Sequence, residues 1–215
     1  MLFFLGSYEG INFVIVALAY ILVIVLSLSL HEFAHAYCAY KCGDMTPKAQ
    51  GRVTINPLKH IDAIGFLCCA FFGFGWAKPV EVNNNNFRNI KKGIGWTSVA
   101  GVLMNLFLAF VSCGLFNLTL LFNTTNLFIL FLQQFFYFMY IINLSLAVFN
   151  FLPIHPLDGF KFVENYTSYN NGYVKFMYKY GSWILLLVIF VLDSWLLRII
   201  TMIAYPIEMF WRIIF

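Results

Sequence analysis

The chain has 215 residues, of which 62% are hydrophobic and only 10% charged, with a formal net charge of +4. A soluble domain of this size could not cover so much apolar material with polar surface, which excludes a soluble enzyme and leaves a polytopic membrane protein. The positive balance is no nucleic-acid signal either, because its cations fall in loops between apolar stretches, where the positive-inside rule expects them.

The expected fold is an all-α polytopic membrane protein forming a single membrane-embedded domain over residues 1–215. Its core would occupy about 12–162 and its C-terminal helices about 173–215. Four to six membrane helices are expected, with a re-entrant segment and a short β element between the first two clear spans. No cleavable signal peptide is expected, since residues 1–10 carry no basic n-region.

The first apolar segment runs over residues 12–42 and ends at Gly43-Asp44. It is longer than a minimal span and should tilt or project past the bilayer. It contains His31-Glu32-Phe33-Ala34-His35, about 17 Å before its end at 1.5 Å per residue. Ionisable groups at that depth cost roughly 2.5–3.5 kcal/mol each on insertion scales, so something must compensate.

Residues 51–60 (GRVTINPLKH) have the composition of a short β element closed by a turn at Asn56-Pro57. Residues 61–76 are apolar but short and contain Gly65, Gly73 and Gly75. Basic residues flank them on both sides, Lys48, Arg52 and Lys59 before and Lys78, Arg88, Lys91 and Lys92 after. A true span separates basic from non-basic sides, so this segment should return to the face it left.

Residues 94–122 and 127–151 are the next clear spans, joined by an uncharged connector assigned to the outer face. Lys161, Lys175 and Lys179 mark the return to the basic face. A fourth span is expected over 173–192, and a final helix over 195–215, kinked before Pro206. Arg198, Glu208 and Arg212 leave an interfacial position open for that last helix. In this topology the basic loops and the His31 end of the first helix face the cytoplasm. The five cysteines (38, 42, 68, 69 and 113) lie in or beside apolar segments and read as reduced packing residues.

His31 and His35 are one helical turn apart and can reach one zinc ion, while Glu32, about 100° round the helix, lies beside the metal as a candidate base. A catalytic zinc needs a third protein ligand and an open position. Asp158, in Asn150-Phe-Leu-Pro-Ile-His-Pro-Leu-Asp158-Gly159, lies at the basic-face end of the third span, where Pro153 and Pro156 break the helix. Simpler readings stand beside these. Asp158 could cap a helix or pair with Lys161, and Asn150 or Asn105 could be interhelical hydrogen-bonding residues. Cys38 and Cys42 continue the histidine stripe, but His31 and Cys42 are about 16 Å apart along the axis, too far for one ion. His60 and His155 read as loop histidines.

These motifs together resemble the site-2 protease family, the intramembrane zinc metalloproteases, in its small bacterial form without a PDZ domain. The family patterns H-E-x-x-H and N-x-x-P-x-x-x-L-D-G match HEFAH and NFLPIHPLDG. Residues 43–62 and 75–89 resemble the loop of the small bacterial members, and Ala100 to Asn105 resembles the A-G-P-x-x-N helix motif, with Val102 replacing proline. The resemblance implies one Zn²⁺ per chain held by His31, His35 and Asp158, with Glu32 as base. Asn150 would support the tetrahedral intermediate or orient the site, and Asn105 would pack around it. It also implies a transmembrane protein as substrate, in a bacterial cytoplasmic membrane, with the site opening toward the cytoplasm. The lipid bilayer is the other expected partner and nucleic acid is not one; a homo-oligomer is left open. Val53-Thr54-Ile55 could offer a strand edge to an extended substrate. Two other readings fit the same residues: a metal transporter or sensor built on the same His/Asp cluster, and a catalytically silent relative that binds membrane partners.

Overall fold

The computed structural model describes residues 9–72, 76–122, 126–168, 170–191 and 193–215. Three long apolar helices form its body: α1 (Gly10–Cys42), α4 (Ile90–Thr119) and α5 (Leu127–Phe151). Between α1 and α4 lie the short α2 (Thr46–Ala49) and α3 (Ala63–Phe72); α6 (Asp158–Tyr166), α7 (Gly172–Val191) and α8 (Asp193–Ile214) follow α5.

Local sequence sets the ends of these helices. The Asn89 side chain accepts from Lys92 N at the start of α4, and Asn126 accepts from Phe128 N at the start of α5. Gly43 ends α1 at φ +116°, a left-handed conformation that suits glycine, and its N–H donates to Tyr40 O at 3.1 Å. Pro153 cannot continue α5, which stops at Phe151.

The three long helices pack on one another. Val16, Ala19, Tyr20, Val23, Ile24 and Leu28 of α1 meet Phe138, Met139 and Ile142 of α5. Water is absent between such helices in a membrane, so small and polar residues carry much of the fit. Ser98, Gly101, Asn105 and Ser112 form a small-polar stripe along α4 that is buried throughout. Asn143 donates to Ser27 Oγ across the α1–α5 interface at 2.8 Å. Gly114 leaves room for the Trp211 indole of α8, which donates to Phe110 O at 2.9 Å. Cys38, Cys42, Cys68 and Cys113 are free thiols.

Among the described residues, three helices (α1, α4 and α5) are long and apolar enough to cross a membrane. The α7–α8 pair, bent by 78°, would add a fourth if it forms one broken span. By length and composition the described residues thus supply three or four candidate crossings, at the lower edge of the expected four to six. The two C-terminal helices occur close to where the sequence placed them.

The short β element at 51–60 is not formed, and the described residues contain no strand. Side chains take the carbonyls that a ladder would need. His60 Nε2 bonds to Thr54 O at 2.8 Å, the Arg52 guanidinium donates to Lys59 O, and Asn56 caps a 3₁₀ turn over Pro57–Lys59 by accepting from Leu58 N. Pro57 has no N–H to give. Val53-Thr54-Ile55 therefore presents no strand edge. The one β pairing among the described residues is an isolated antiparallel bridge between Ile61 and Ala77, beside a Lys78 N to His60 O bond of 2.7 Å. That bridge brings the two ends of the 61–76 segment together. Gly65 permits the approach, because a Cβ there would lie 2.0 Å from Trp76 O. Residues 73–75, with the predicted Gly73 and Gly75, lie outside the described residues.

From Trp76 the chain runs as an irregular strap to Asn89. Asp44, fully buried just past α1, holds it there. Its carboxylate accepts from Asn83 N (2.8 Å) and Asn86 Nδ2 (2.8 Å) on the strap, and from Thr46 N (3.0 Å) and Thr46 Oγ1 (2.6 Å) on its own side. Burial alone would raise the Asp44 pKa; these hydrogen bonds outweigh it and hold the carboxyl below its ordinary value.

Replacing Asp44 with alanine strands several donors and should lower stability by about 2–3 kcal/mol, read as a fall in melting temperature in detergent. Because the folded-state pKa is depressed, the stabilisation is complete above the unfolded value near 3.9 and is lost as pH falls through the folded value. Melting temperature should therefore drop more steeply below about pH 4 in the wild type than in Asp44→Asn.

Candidate metal centre

His31 and His35 project from one face of α1 against α4, each 7% exposed, with ring centroids 4.6 Å apart. Asp158 reaches them from the first residue of α6, and is 5% exposed. Its Oδ2 lies 3.2 Å from His31 Nε2 and 2.9 Å from His35 Nε2, and the two Nε2 atoms are 3.0 Å apart. The sequence-predicted triad thus converges on one point, although His35 and Asp158 lie 123 positions apart in the chain.

Two glycines allow this convergence. A Cβ on Gly101 of α4 would lie 2.3 Å from His35 Nε2 and 2.4 Å from His31 Cε1, so the missing methyl is the space both imidazoles occupy. A Cβ on Gly159 would lie 2.2 Å from Phe151 O at the end of α5. Only glycine lets the turn after Pro156 close tightly enough to carry Asp158 inward.

The hydrogen bonds around the triad fix which atoms face inward. His35 Nδ1 donates to Thr97 O at 2.7 Å; a carbonyl can only accept, so the Nε2 lone pair of neutral His35 points at the centre. His31 Nδ1 lies 3.0 Å from the Asn105 amide nitrogen, and the amide oxygen of this fully buried residue has no hydrogen-bond partner. A half-turn of the amide presents that oxygen to Nδ1–H and frees the His31 Nε2 lone pair in the same way.

Asp158 Oδ2 likewise receives no hydrogen bond. Two imidazole lone pairs and a carboxylate oxygen thus face one another out of water, an arrangement that repels unless a cation or a bound proton joins them. The donor set suits zinc. Bonds of 2.0–2.1 Å in a tetrahedron place ligand atoms about 3.3 Å apart, close to the edges observed here. With only three protein ligands, such a site keeps one position open.

Glu32 lies beside this cluster, half-buried, and its Oε2 accepts from Val80 N on the strap at 3.2 Å. Glu32, His35 and Asp158 line a cavity of about 570 Å³, whose other walls include Pro79, Val80 and Val82 of the strap and Thr97, Lys161 and Tyr178. The Glu32 carboxylate and two members of the triad, His35 and Asp158, therefore share one chamber.

The remaining candidates lie elsewhere or act indirectly. The Asn150 amide donates to Leu146 O within α5 at 3.0 Å. The buried His60 ring is tied to Thr54 O, as a loop histidine should be. His155 packs against Phe160 and Tyr178. Asn105, expected to pack around the site, touches the His31 imidazole directly. Sequence reasoning missed Thr97, which acts through a backbone carbonyl and leaves no side-chain signature. It missed Val80 for the same reason. Gly101 was legible as part of the Ala100 to Asn105 motif but not as the seat of the imidazoles.

Gly101→Ala should abolish tight zinc binding, measured as metal per chain after dialysis. Gly114→Ala, which crowds only Trp211, should leave it unchanged.

With this geometry in view, comparison with known proteins is direct. The model for peptidase family M50 matches residues 123–191, which include the NFLPIHPLDG segment. Over 149 residues the chain is 42% identical to YwhC of Bacillus subtilis, covering 67% of each chain. Over 169 residues it is 31% identical to Rip2 of Mycolicibacterium smegmatis, covering 74% of this chain and 59% of that one. Both relatives carry zinc metalloprotease in their names. No solved structure matches significantly. The extent of the YwhC match, together with both motifs meeting at one metal centre, establishes that the chain belongs to peptidase family M50, the site-2 protease family.

Proposed function

We propose that the chain is an intramembrane zinc endopeptidase that hydrolyses peptide bonds within or near transmembrane segments of other membrane proteins. The observation that carries this reading is the meeting of His31, His35 and Asp158 within 4.8 Å of one another, with Glu32 lining the same cavity. A transport path would distribute its ligands along the helix axis, whereas these gather at one depth.

His31 and His35 through Nε2, and Asp158 through Oδ2, would hold the metal. Zinc bound there supplies Lewis acidity, which activates water and polarises a peptide carbonyl near neutral pH. Glu32 accepts the proton of the attacking water on its carboxylate and delivers it to the departing amine nitrogen. The Val80 N–H, bonded to Oε2, leaves Oε1 available for that transfer. The buried Thr97 carbonyl and Asn105 amide keep the two imidazoles aimed as ligands. Asn150, in the last turn of α5 before the Pro153–Pro156 turn, is assigned an orienting role for the loop that carries Asp158.

The substrate segment would unwind locally, because helical carbonyls are hydrogen-bonded and shielded from attack. The mixed lining of the cavity suits a short extended stretch: Pro79, Val80, Val82 and Ile94 offer apolar contact, and Asn84, Glu164 and Asn165 offer hydrogen bonds. The 61–76 segment is read as re-entrant, supported by the pairing of its ends. Lys78, Arg88, Lys91 and Lys92 flank the site end of α4, which supports a cytoplasmic opening in a bacterial cytoplasmic membrane.

Glu32→Gln should retain one zinc per chain yet lower cleavage of a reconstituted single-pass membrane protein by about 10²–10⁴-fold. His31→Ala and Asp158→Ala should lose both metal and cleavage. Full proteolysis by purified, zinc-loaded Glu32→Gln protein would defeat the assignment of the base.

A further inference from the structure

The two oxygens of Asp158 have different surroundings. Oδ2 faces the imidazole pair, at 2.9 and 3.2 Å, and accepts no hydrogen bond. Oδ1 accepts from Lys161 Nζ at 3.1 Å, one helical turn along α6. The sequence allows Asp158 to be either a metal ligand or the partner of an i+3 lysine; the fold satisfies both, one with each oxygen. The three ligands also differ in what supports them. His31 and His35 lean on the buried Asn105 amide and Thr97 carbonyl of α4, whereas the Lys161 side chain is 57% exposed and lines the cavity.

A carboxylate beside a divalent cation can bind through one oxygen or two. Binding through both would fill part of the open position that a catalytic zinc keeps for water and substrate. We infer that Lys161 is a positioning residue for the metal centre: by holding Asp158 Oδ1, it makes the carboxylate a one-oxygen ligand through Oδ2 and keeps the fourth position open. This rests on the assignment of His31, His35 and Asp158 as the ligand set. Lys161 touches neither the metal nor the reacting atoms and acts only through Asp158.

The length and charge of the side chain both enter the argument. Lysine at i+3 from the first residue of α6 reaches back over one turn, in line with the usual helical neighbour spacing. Arginine carries the same charge with a longer reach and several donors, so it should preserve the contact. Methionine has similar bulk without a donor, and glutamine keeps a donor without the charge. Because the side chain is largely exposed, these replacements leave the packing of α6 on α4 intact.

The test uses the full chain, purified in detergent, as wild type and as Lys161→Met, Lys161→Gln and Lys161→Arg. Zinc affinity is measured by competition with a chromophoric chelator, and coordination by the visible spectrum of the cobalt(II)-substituted protein. Lys161→Met should bind zinc about 10–100-fold more weakly, the usual effect of losing a partner that supports a ligand. Its cobalt bands should lose intensity as the released oxygen joins the coordination sphere. Lys161→Gln should fall between, and Lys161→Arg should restore wild-type affinity and spectrum. Wild-type affinity and an unchanged cobalt spectrum in both Lys161→Met and Lys161→Gln would overturn the inference while leaving the metal centre standing. A wild-type chain that took up neither zinc nor cobalt would overturn both.

Discussion

Three lone-pair donors at membrane depth repel one another unless a cation holds them, and the architecture is arranged around that constraint. His31 and His35 come from the first long helix, and Asp158 from a broken turn after the third. The second long helix of the bundle, α4, lies against both imidazoles. It receives the His35 proton at Thr97 O, contacts His31 through Asn105, and makes room for both rings at Gly101. Desolvated groups of this kind are tolerated in lipid when each atom has a defined partner. Here the outward atoms have protein partners, and the inward ones converge on a metal-sized gap.

The strap between α3 and α4 is tied to the same scheme from the other side. Asp44, just beyond α1, gathers strap donors from Asn83 and Asn86. The Ile61–Ala77 bridge fixes the other end of the loop. Between these anchors Val80 presents its N–H to Glu32, so the placement of the candidate base depends on a loop as well as on its own helix. Polar contacts outside the apolar core thereby help to place the Glu32 carboxylate in the cavity.

The sequence exposed these features unevenly, for physical reasons. Long apolar runs with clear polar ends are strong signals: α5 begins and ends at the residues expected, and α1 and α4 differ by a few at their ends. The i, i+4 histidines and the proline-broken LDG turn carried the candidate metal ligands, because helical spacing and helix termination are local properties. The 51–60 segment misled because Val53, Thr54 and Ile55 have strand-like side chains. Whether they form a strand depends on a partner and on free carbonyls; here His60 takes the Thr54 carbonyl and Arg52 donates to Lys59 O at the end of the segment. Thr97 and Val80 were invisible because they act through the backbone, and any residue except proline at position 80 could supply the same atoms. Lys161 was visible only as a competing partner for Asp158, since the separate use of two carboxylate oxygens is a three-dimensional fact.

X-ray absorption at the zinc edge of the purified full-length chain tests the central claim most directly. The account predicts a single zinc coordinated only by nitrogen and oxygen at about 2.0–2.1 Å, with the outer-shell signature of two imidazoles. Sulfur scattering near 2.3 Å would move the metal to Cys38 or Cys42, and a first shell without imidazole would remove it from His31 and His35; either result would contradict the account.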